Sequence, residues 1–141
     1  MIENKRAKSF VAIMIFIGFT ALLLRFGIEK IIKINIAQNE AIASLTLKLI
    51  SAALENYAND HAEVYPVSLS GLTQTKPPYL DKDYVLNSPL RGYIYSCSRL
   101  EPSGYSCSAI PVKCNLAGRL IYTVITGGSL ISEECSKKEK E

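Results

Sequence analysis

The hydrophobic pattern of this chain begins with a long segment that is nearly free of helix-breaking residues. No proline precedes Pro66, and residues 28–70 contain no glycine. Proline and glycine are the residues that most often end helices, so their absence predicts one continuous helix. The first part of this helix is apolar and the second part is amphipathic, which predicts that it passes from a membrane into water.

Residues 10–24 form a stretch of fifteen residues without a charge. At about 1.5 Å per helical residue they span roughly 22 Å, which is shorter than the ~30 Å hydrocarbon core of a bilayer. Lys8 and Arg25 flank the stretch, and their heads can reach the interface while their stems extend the apolar length. We therefore predict a single transmembrane segment over residues 9–27.

The basic residues before this segment predict its orientation. Lys5, Arg6 and Lys8 lie in the leader formed by residues 1–8. By the positive-inside rule, the leader stays in the cytoplasm and the chain after Arg25 is exported. A cleaved secretory signal has the same order of basic and apolar residues, but residues 24–27 offer no small-x-small cleavage site. An uncleaved anchor is therefore the preferred interpretation.

Residues 41–58 show helical amphipathicity with two faces. The apolar face contains Ile42, Leu45, Leu49, Ile50, Ala53, Leu54 and Tyr57, and the opposite polar stripe contains Ser44, Lys48, Ser51, Glu55 and Asn59. We expect the apolar face to pack on the protein's own globular domain and the polar stripe to face water.

Residues 27–40 show a different pattern, because their isoleucines spread around most of the helix circumference. These isoleucines are Ile28, Ile31, Ile32, Ile34 and Ile36. One small domain cannot easily cover a surface that faces so many directions. We expect interfacial lipid or neighbouring copies of this helix to cover part of it, and the second option is a functional hypothesis.

After the helix, the pattern predicts a loop and then a small sheet. The helix is expected to end at about residue 60, followed by a loop over residues 61–91. Short β-prone runs at 93–98, 105–110, 119–125 and 129–132 fit antiparallel strands, with Gly127-Gly128 as the last turn. The chain is thus predicted to be α+β, with an ectodomain over residues 28–132, its sheet over 92–132, and a charged tail over 133–141.

All four cysteines lie on the predicted exported side, where an even number favours disulfides. They are Cys97, Cys107, Cys114 and Cys135, at spacings of ten, seven and twenty-one residues. Zinc sites favour short C-x-x-C pairs, which are absent. Four cysteines allow three disulfide pairings. We favour the pairing of Cys97 with Cys107 and of Cys114 with Cys135, because a predicted hairpin around residues 101–104 brings the first pair face to face.

The charge distribution argues against nucleic acid as a partner. The formal net charge of +3 arises entirely from the first 25 residues, and the rest of the chain carries twelve basic and twelve acidic side chains. No basic field remains there to hold a phosphate backbone.

The sequence contains no pattern typical of an enzyme or of a cofactor site. His61 is the only histidine, and it is expected to stabilise the end of the helix through its dipole. Asp81 and Asp83 could supply oxygen ligands to calcium, but Lys82 lies between them and an exposed turn is the favoured interpretation. We therefore predict no catalytic residue, no cofactor and no metal.

The order of these features resembles that of type IV pilins and type II secretion pseudopilins over most of the chain. The similar segments are residues 5–10 (Lys-Arg-Ala-Lys-Ser-Phe), 53–57 (Ala-Leu-Glu-Asn-Tyr), 65–69 (Tyr-Pro-Val-Ser-Leu) and 88–95 (Ser-Pro-Leu-Arg-Gly-Tyr-Ile-Tyr), together with Tyr122 and Gly127-Gly128. The resemblance implies a pilin-like fold and implies Ser9-Phe10 as a candidate processing site for prepilin peptidase.

The chain departs from the family pattern where the family's assembly chemistry lies. Ser9 stands where the peptidase normally requires glycine, and Met14 stands where the family usually carries glutamate. Ile31 occupies roughly the place of a helix-breaking proline in many members. These departures favour a minor or atypical subunit over a major one.

The resemblance implies a structural subunit of a type IV pilus or a type II secretion pseudopilus. Its partners would be the membrane, other pilin-like subunits and the pilus or secretion machinery, and it would lie in the bacterial inner membrane with its C-terminal domain in the periplasm or outside the cell. The residues expected in the lateral helix contacts are Met14, Ile28, Ile31, Ile32 and Ile36. The alternative is an anchored periplasmic binding or sensory ectodomain that does not assemble.

Overall fold

The computed structural model describes residues 3–138, and the side-chain surroundings of residues 9–136. The elements are α1 (Glu3–Asp60), α2 (Ser70–Thr73), β1 (Tyr93–Glu101), β2 (Gly104–Pro111), β3 (Leu120–Ile125), β4 (Ser129–Glu134) and α3 (Cys135–Lys138). The chain divides into two compact units, Met1–Ile34 and Asn35–Glu141. The first unit is helical in its described residues, and the second contains the end of α1 together with the sheet.

Helix α1 runs without a break over 58 residues, as predicted from the absence of proline before Pro66 and of glycine over residues 28–70, and it also continues through Gly18 and Gly27. It ends at Asp60, where the sequence places its end. Ala62 and Glu63 then adopt left-handed backbone angles, with φ of 56° and 62°. The Glu63 amide donates to the carbonyl of Ala58 at 2.8 Å, which closes the last turn in the manner of a helix C-cap.

The four strands form an antiparallel meander in the order β1-β2-β3-β4. All four strand predictions are confirmed, and so is the α+β architecture with a long helix on a small antiparallel sheet. The end of the sheet differs from the prediction. Strand β4 continues to Glu134, and helix α3 follows it at once. The charged tail predicted from residue 133 therefore begins inside the last strand.

The core of the Asn35–Glu141 unit lies between the C-terminal half of α1 and one face of the sheet. Its fully buried members include Leu47, Ile50 and Leu54 from the helix, Tyr93, Tyr95, Tyr105 and Val124 from the sheet, and Leu72 and Leu80 from the connecting loop. Tyrosines therefore supply much of the core volume. Each brings a hydroxyl that favours a hydrogen-bond partner when it is buried.

The face of α1 that packs on this core differs from the predicted one. Ser51, assigned to the polar stripe, is buried, and Glu55 from the same stripe is half-buried. Leu45 and Leu49, assigned to the buried face, are 62% and 46% exposed. The prediction is confirmed for Ile50, Ala53 and Leu54, which are buried, and it was wrong for these four residues. Ser51 and Glu55 face inward because the Tyr105 hydroxyl bonds both of them.

Candidate interaction surfaces

The first unit presents a long apolar surface over residues 10–24, followed by exposed charged residues that include Arg25 and Glu29. Every described side chain from Ser9 to Ile31 is exposed except Thr20, which is half-buried and whose hydroxyl donates to the carbonyl of Ile17 at 2.9 Å. The most apolar 18-residue window has a mean hydropathy of 2.3, and none of it is buried within the chain. By length and composition this helix is able to cross a membrane. Lipid or other helices must cover such a surface.

The candidate processing residues lie on this helix. Ser9 and Phe10 are both exposed, and Met14 is 57% exposed one turn further along. The basic leader of residues 1–8 lies outside the residues whose side chains are described. Among the residues whose side chains are described, none covers Ser9 or Phe10.

The predicted assembly isoleucines fall into two groups. Ile28 and Ile31 are more than half exposed, and Ile32 is half-buried. Ile36 is only 4% exposed, so its assignment to an intermolecular surface was wrong. It belongs to the second unit and is covered by it.

Two hydrogen bonds explain why the second unit covers this part of α1. The Asn39 side chain donates to the carbonyl of Ala117 at 2.9 Å. The Glu40 carboxylate accepts the backbone amide of Arg119 at 2.7 Å. These contacts tie the turn after Ile36 to the segment that joins β2 and β3.

Within the second unit, α1 carries a further stripe of exposed apolar side chains. Leu45 and Leu49 are exposed there, and so are the small residues Ala41 and Ala52. The spacings of four, four and three residues place these four side chains along one side of the helix. The protein's own sheet does not cover this stripe, so it is free to meet another molecule.

On its inner side, α1 carries a polar hub built around the carboxylate of Glu55. One oxygen accepts the Tyr105 hydroxyl and the Gly127 amide, each at 2.8 Å. The other oxygen accepts the Tyr65 hydroxyl at 2.9 Å. Ser51 lies one turn earlier, with its hydroxyl 2.8 Å from that of Tyr105. The hub thus connects the helix to the loop after it, to β2 and to the β3–β4 turn.

These contacts shift the pKa values of the groups involved. Partial desolvation raises the pKa of Glu55, but hydrogen bonds from Tyr105, Tyr65 and Gly127 outweigh it and the net shift is downward. Burial, together with the hydrogen bond to Glu55, raises the pKa of Tyr65 to about 12, and that of Tyr105 to about 12 as well. The hub therefore consists of a carboxylate and two neutral phenols at neutral pH.

The cysteines pair in the way that the predicted hairpin between residues 93 and 110 favours. Cys97 and Cys107 occupy directly opposite positions of β1 and β2, with a Cα–Cα distance of 3.9 Å. Cys114 pairs with Cys135 at 6.0 Å, which ties the β2–β3 connection to the start of α3. The described residues contain no free cysteine.

Asp81 and Asp83 accept hydrogen bonds from residues of the turn that contains them. Asp81 accepts the Tyr84 hydroxyl at 2.9 Å. One oxygen of Asp83 accepts the amides of Val85 and Leu86 at 2.9 and 3.0 Å. This is the arrangement of a structural turn. Within residues 9–136, no group of three or more metal-binding side chains comes together.

His61 lies directly after the last residue of α1, with Nδ1 2.8 Å from the carbonyl oxygen of Tyr57. Its ring stacks on that of Tyr57, with centroids 3.9 Å apart. In the described part of the chain it contacts no serine or cysteine that it could activate as a nucleophile. Its place directly after the last helical residue agrees with the helix-end position expected from the sequence.

The structure defines a class, an α+β protein with a small antiparallel sheet and a long N-terminal helix that is able to cross a membrane by length and composition. Searches for similarity find no matching family model, no matching curated protein and no matching solved structure.

Proposed function

We propose that this protein is a pilin-like assembly subunit of a type IV pilus or a type II secretion pseudopilus. Its α1 helices pack side by side within a membrane and above it, and the disulfide-bonded sheet is displayed outside. The layout of a long helix on a small antiparallel meander supports this proposal. So does the resemblance of the sequence segments to that family.

The observation that carries the proposal is the exposed apolar stripe of α1 outside the predicted membrane segment. Leu45 and Leu49 are large aliphatic residues on a water-facing part of the helix, and Ile31 and Ile34 are also about half exposed or more. Exposed aliphatic residues at helical spacing fit a groove of a second helix. In an ectodomain that does not assemble, these aliphatic residues would stay exposed to water.

The proposed location is a bacterial inner membrane, with the N-terminus in the cytoplasm. The two disulfides support an oxidising compartment for the Asn35–Glu141 unit, because such bonds rarely persist in a reducing cytosol. The disulfides therefore support a location of the sheet in the periplasm or outside the cell.

Cross-linking in native membranes tests the proposal. In the full chain, Leu45→Cys should give covalent dimers or a ladder under mild oxidation, because the stripe lies between copies or between related subunits. Leu86→Cys is the matched control, since Leu86 is 77% exposed but lies outside the stripe. Cross-linking of both variants to the same low extent would contradict lateral packing.

The second candidate is an anchored binding or sensory ectodomain that never assembles. The observation that favours it is that Asn35–Glu141 forms a compact unit with its own core, into which Ile36 is already drawn. Replacing residues 1–27 by an unrelated membrane anchor separates the two functions. Function is retained if the ectodomain acts alone, and it is lost if the native helix is needed for assembly.

Mass spectrometry of the protein from host membranes tests the processing step. A mature chain that begins at Phe10 would show that a prepilin peptidase accepts Ser9, and it would strongly support the subunit. A chain that begins at Met1 would favour the anchored ectodomain.

A further inference from the structure

A cleft of about 370 Å³ lies beside the end of α1 and plays no part in the proposed assembly. Asp60 and His61 form its helix side, and Lys76, Pro77 and Tyr79 from the following loop form the opposite side. All of these residues belong to the Asn35–Glu141 unit. The volume lies at the low end of the range for small-molecule sites, which suits one or two sugar rings.

Two aromatic rings form a corner in this cleft. The rings of His61 and Tyr79 are inclined by 67°, with centroids 6.4 Å apart. Tyr57 supports both, because it stacks on His61 at 3.9 Å and meets Tyr79 edge-on at 5.6 Å. The rings are thus held in place by each other before any ligand arrives, which lowers the ordering cost of binding.

Polar groups surround the corner with spare hydrogen-bonding capacity. Asp60 accepts the Tyr79 hydroxyl at 2.5 Å through one oxygen, and its other oxygen accepts no hydrogen bond from the described residues. His61 bonds the Tyr57 carbonyl through Nδ1, which leaves Nε2 available. Lys76 is exposed and forms no salt bridge within the described chain. The cleft therefore offers both donors and acceptors.

This combination fits a neutral saccharide better than other small ligands. The faces of aromatic rings are electronegative and attract the polarised C–H groups of a pyranose, while sugar hydroxyls need donors and acceptors together. An organic cation would also suit the rings but would be repelled by Lys76. An anion would suit Lys76 but would be repelled by Asp60.

We propose that this cleft binds a neutral oligosaccharide through the His61–Tyr79 corner. A β-1,4-linked pyranose disaccharide with equatorial hydroxyls is the best fit, because its rings present flat C–H faces to the aromatic pair. Asp60 and Lys76 then bond the hydroxyls at the ring edge. The inference is independent of filament assembly and holds for an anchored ectodomain as well.

The single histidine of the chain makes a direct test possible. The full chain, labelled with ¹³C,¹⁵N-histidine and carried in nanodiscs without a histidine tag, is titrated with cellobiose and with N,N′-diacetylchitobiose. Nanodiscs avoid glycoside detergents, which would compete for the cleft. A saturable shift of the only imidazole resonance, together with saturation transfer to the sugar protons, is the expected result for at least one of the two sugars.

Variants of the corner separate the proposed contacts. Tyr79→Leu should weaken binding about fivefold or more, because an aromatic contact is lost. Tyr79→Phe keeps the ring and should bind within roughly twofold of the parent. Lys76→Ala removes an exposed donor without touching the core and should weaken binding about threefold, whereas Lys113→Ala is the matched control and should have no effect.

Three results would overturn the inference. Absence of a saturable shift with both sugars would do so, as would unchanged affinity in either Tyr79→Leu or Lys76→Ala. Saturable binding of a proline-rich peptide to the same corner, with no response to either sugar, would reassign the cleft to peptide recognition. Lys76→Ala keeps the test decisive even if Tyr79→Leu fails to fold.

Discussion

At the scale of single residues, Glu55 shows how a polar side chain can hold a helix against a sheet. Its carboxylate accepts three hydrogen bonds, from Tyr65, Tyr105 and Gly127. These donors come from three different parts of the chain, so the loss of one acceptor would leave several groups without their partner. Groups left unpaired near a core are more costly than the hydrogen bond itself is worth.

The pH dependence of stability should reveal this carboxylate. Since the pKa of Glu55 is lower than its ordinary value of 4.5 in the folded state, its contribution is full above that value and is lost as the pH falls through the folded pKa. Glu55→Gln should therefore destabilise the protein by about 1–3 kcal/mol at pH 7 and flatten the loss below pH ~4.5.

The measurement is urea unfolding of the full chain in detergent from pH 3 to pH 7. Glu101→Gln is the control, because Glu101 is exposed and pairs only with exposed Arg99. A parent-like stability and pH profile for Glu55→Gln would contradict the role of the hub.

Gly118 is a second residue on which local packing depends. A Cβ at this position would collide with the Tyr93 hydroxyl and its ring, and Tyr93 is fully buried. Gly118→Ala should destabilise the protein by about 1–3 kcal/mol, since the tyrosine cannot move without opening the core. Gly71→Ala is the matched control, because a Cβ there meets only the Ser68 hydroxyl at an ordinary 3.8 Å. Equal melting temperatures for the two variants would refute this packing argument.

At the scale of elements, α1 has an inner and an outer side that the amphipathic pattern did not separate correctly. Leu47 is fully buried and Leu45 is 62% exposed, only two residues away. Leu47→Ala should cost about 2–5 kcal/mol in the free energy of unfolding, whereas Leu45→Ala should change it by less than about 0.5 kcal/mol. The same urea unfolding measurement compares the two. A larger loss of unfolding free energy for Leu45→Ala than for Leu47→Ala would show that the buried face predicted from the sequence is the correct one.

The disulfides act at the same scale, because each one closes a loop between elements. Cys97–Cys107 closes a separation of ten residues and Cys114–Cys135 one of twenty-one. Replacing either pair by alanines should cost about 3 kcal/mol, and slightly more for the larger loop. The denaturation midpoints of the two double variants in urea provide the test. An unchanged midpoint for Cys114→Ala/Cys135→Ala would show that this bridge adds no stability.

At the scale of the whole molecule, the apolar helix and the disulfide-bonded unit imply two different environments for one chain. A membrane-impermeant maleimide should label Leu86→Cys in cells with a permeable outer membrane, because Leu86 is 77% exposed on the proposed outer side. It should label Ser9→Cys only after the inner membrane is opened, since Ser9 lies at the proposed cytoplasmic boundary. Labelling in the opposite order would invert the proposed topology.

The sequence by itself determined the features that depend on local chemistry. The absence of proline before Pro66 and of glycine over residues 28–70 indicated α1, and alternating β-prone runs indicated the four strands. The hairpin between β1 and β2 was enough to favour the correct partner for Cys97. Each of these depends on residues close together in the chain, where periodicity and turn propensity act directly.

The tertiary structure alone decided which side of α1 is buried and where the candidate sites lie. Ser51 and Glu55 turn inward because Tyr105, fifty residues beyond Glu55, brings a hydroxyl to the core. The aromatic corner likewise joins His61 to Tyr79 across a loop. Hydrophobic periodicity assigns serine and glutamate to the solvent-facing side of a helix. It carries no information about a hydrogen-bond donor that lies far away in the sequence. Such pairings therefore appear only when the chain is folded.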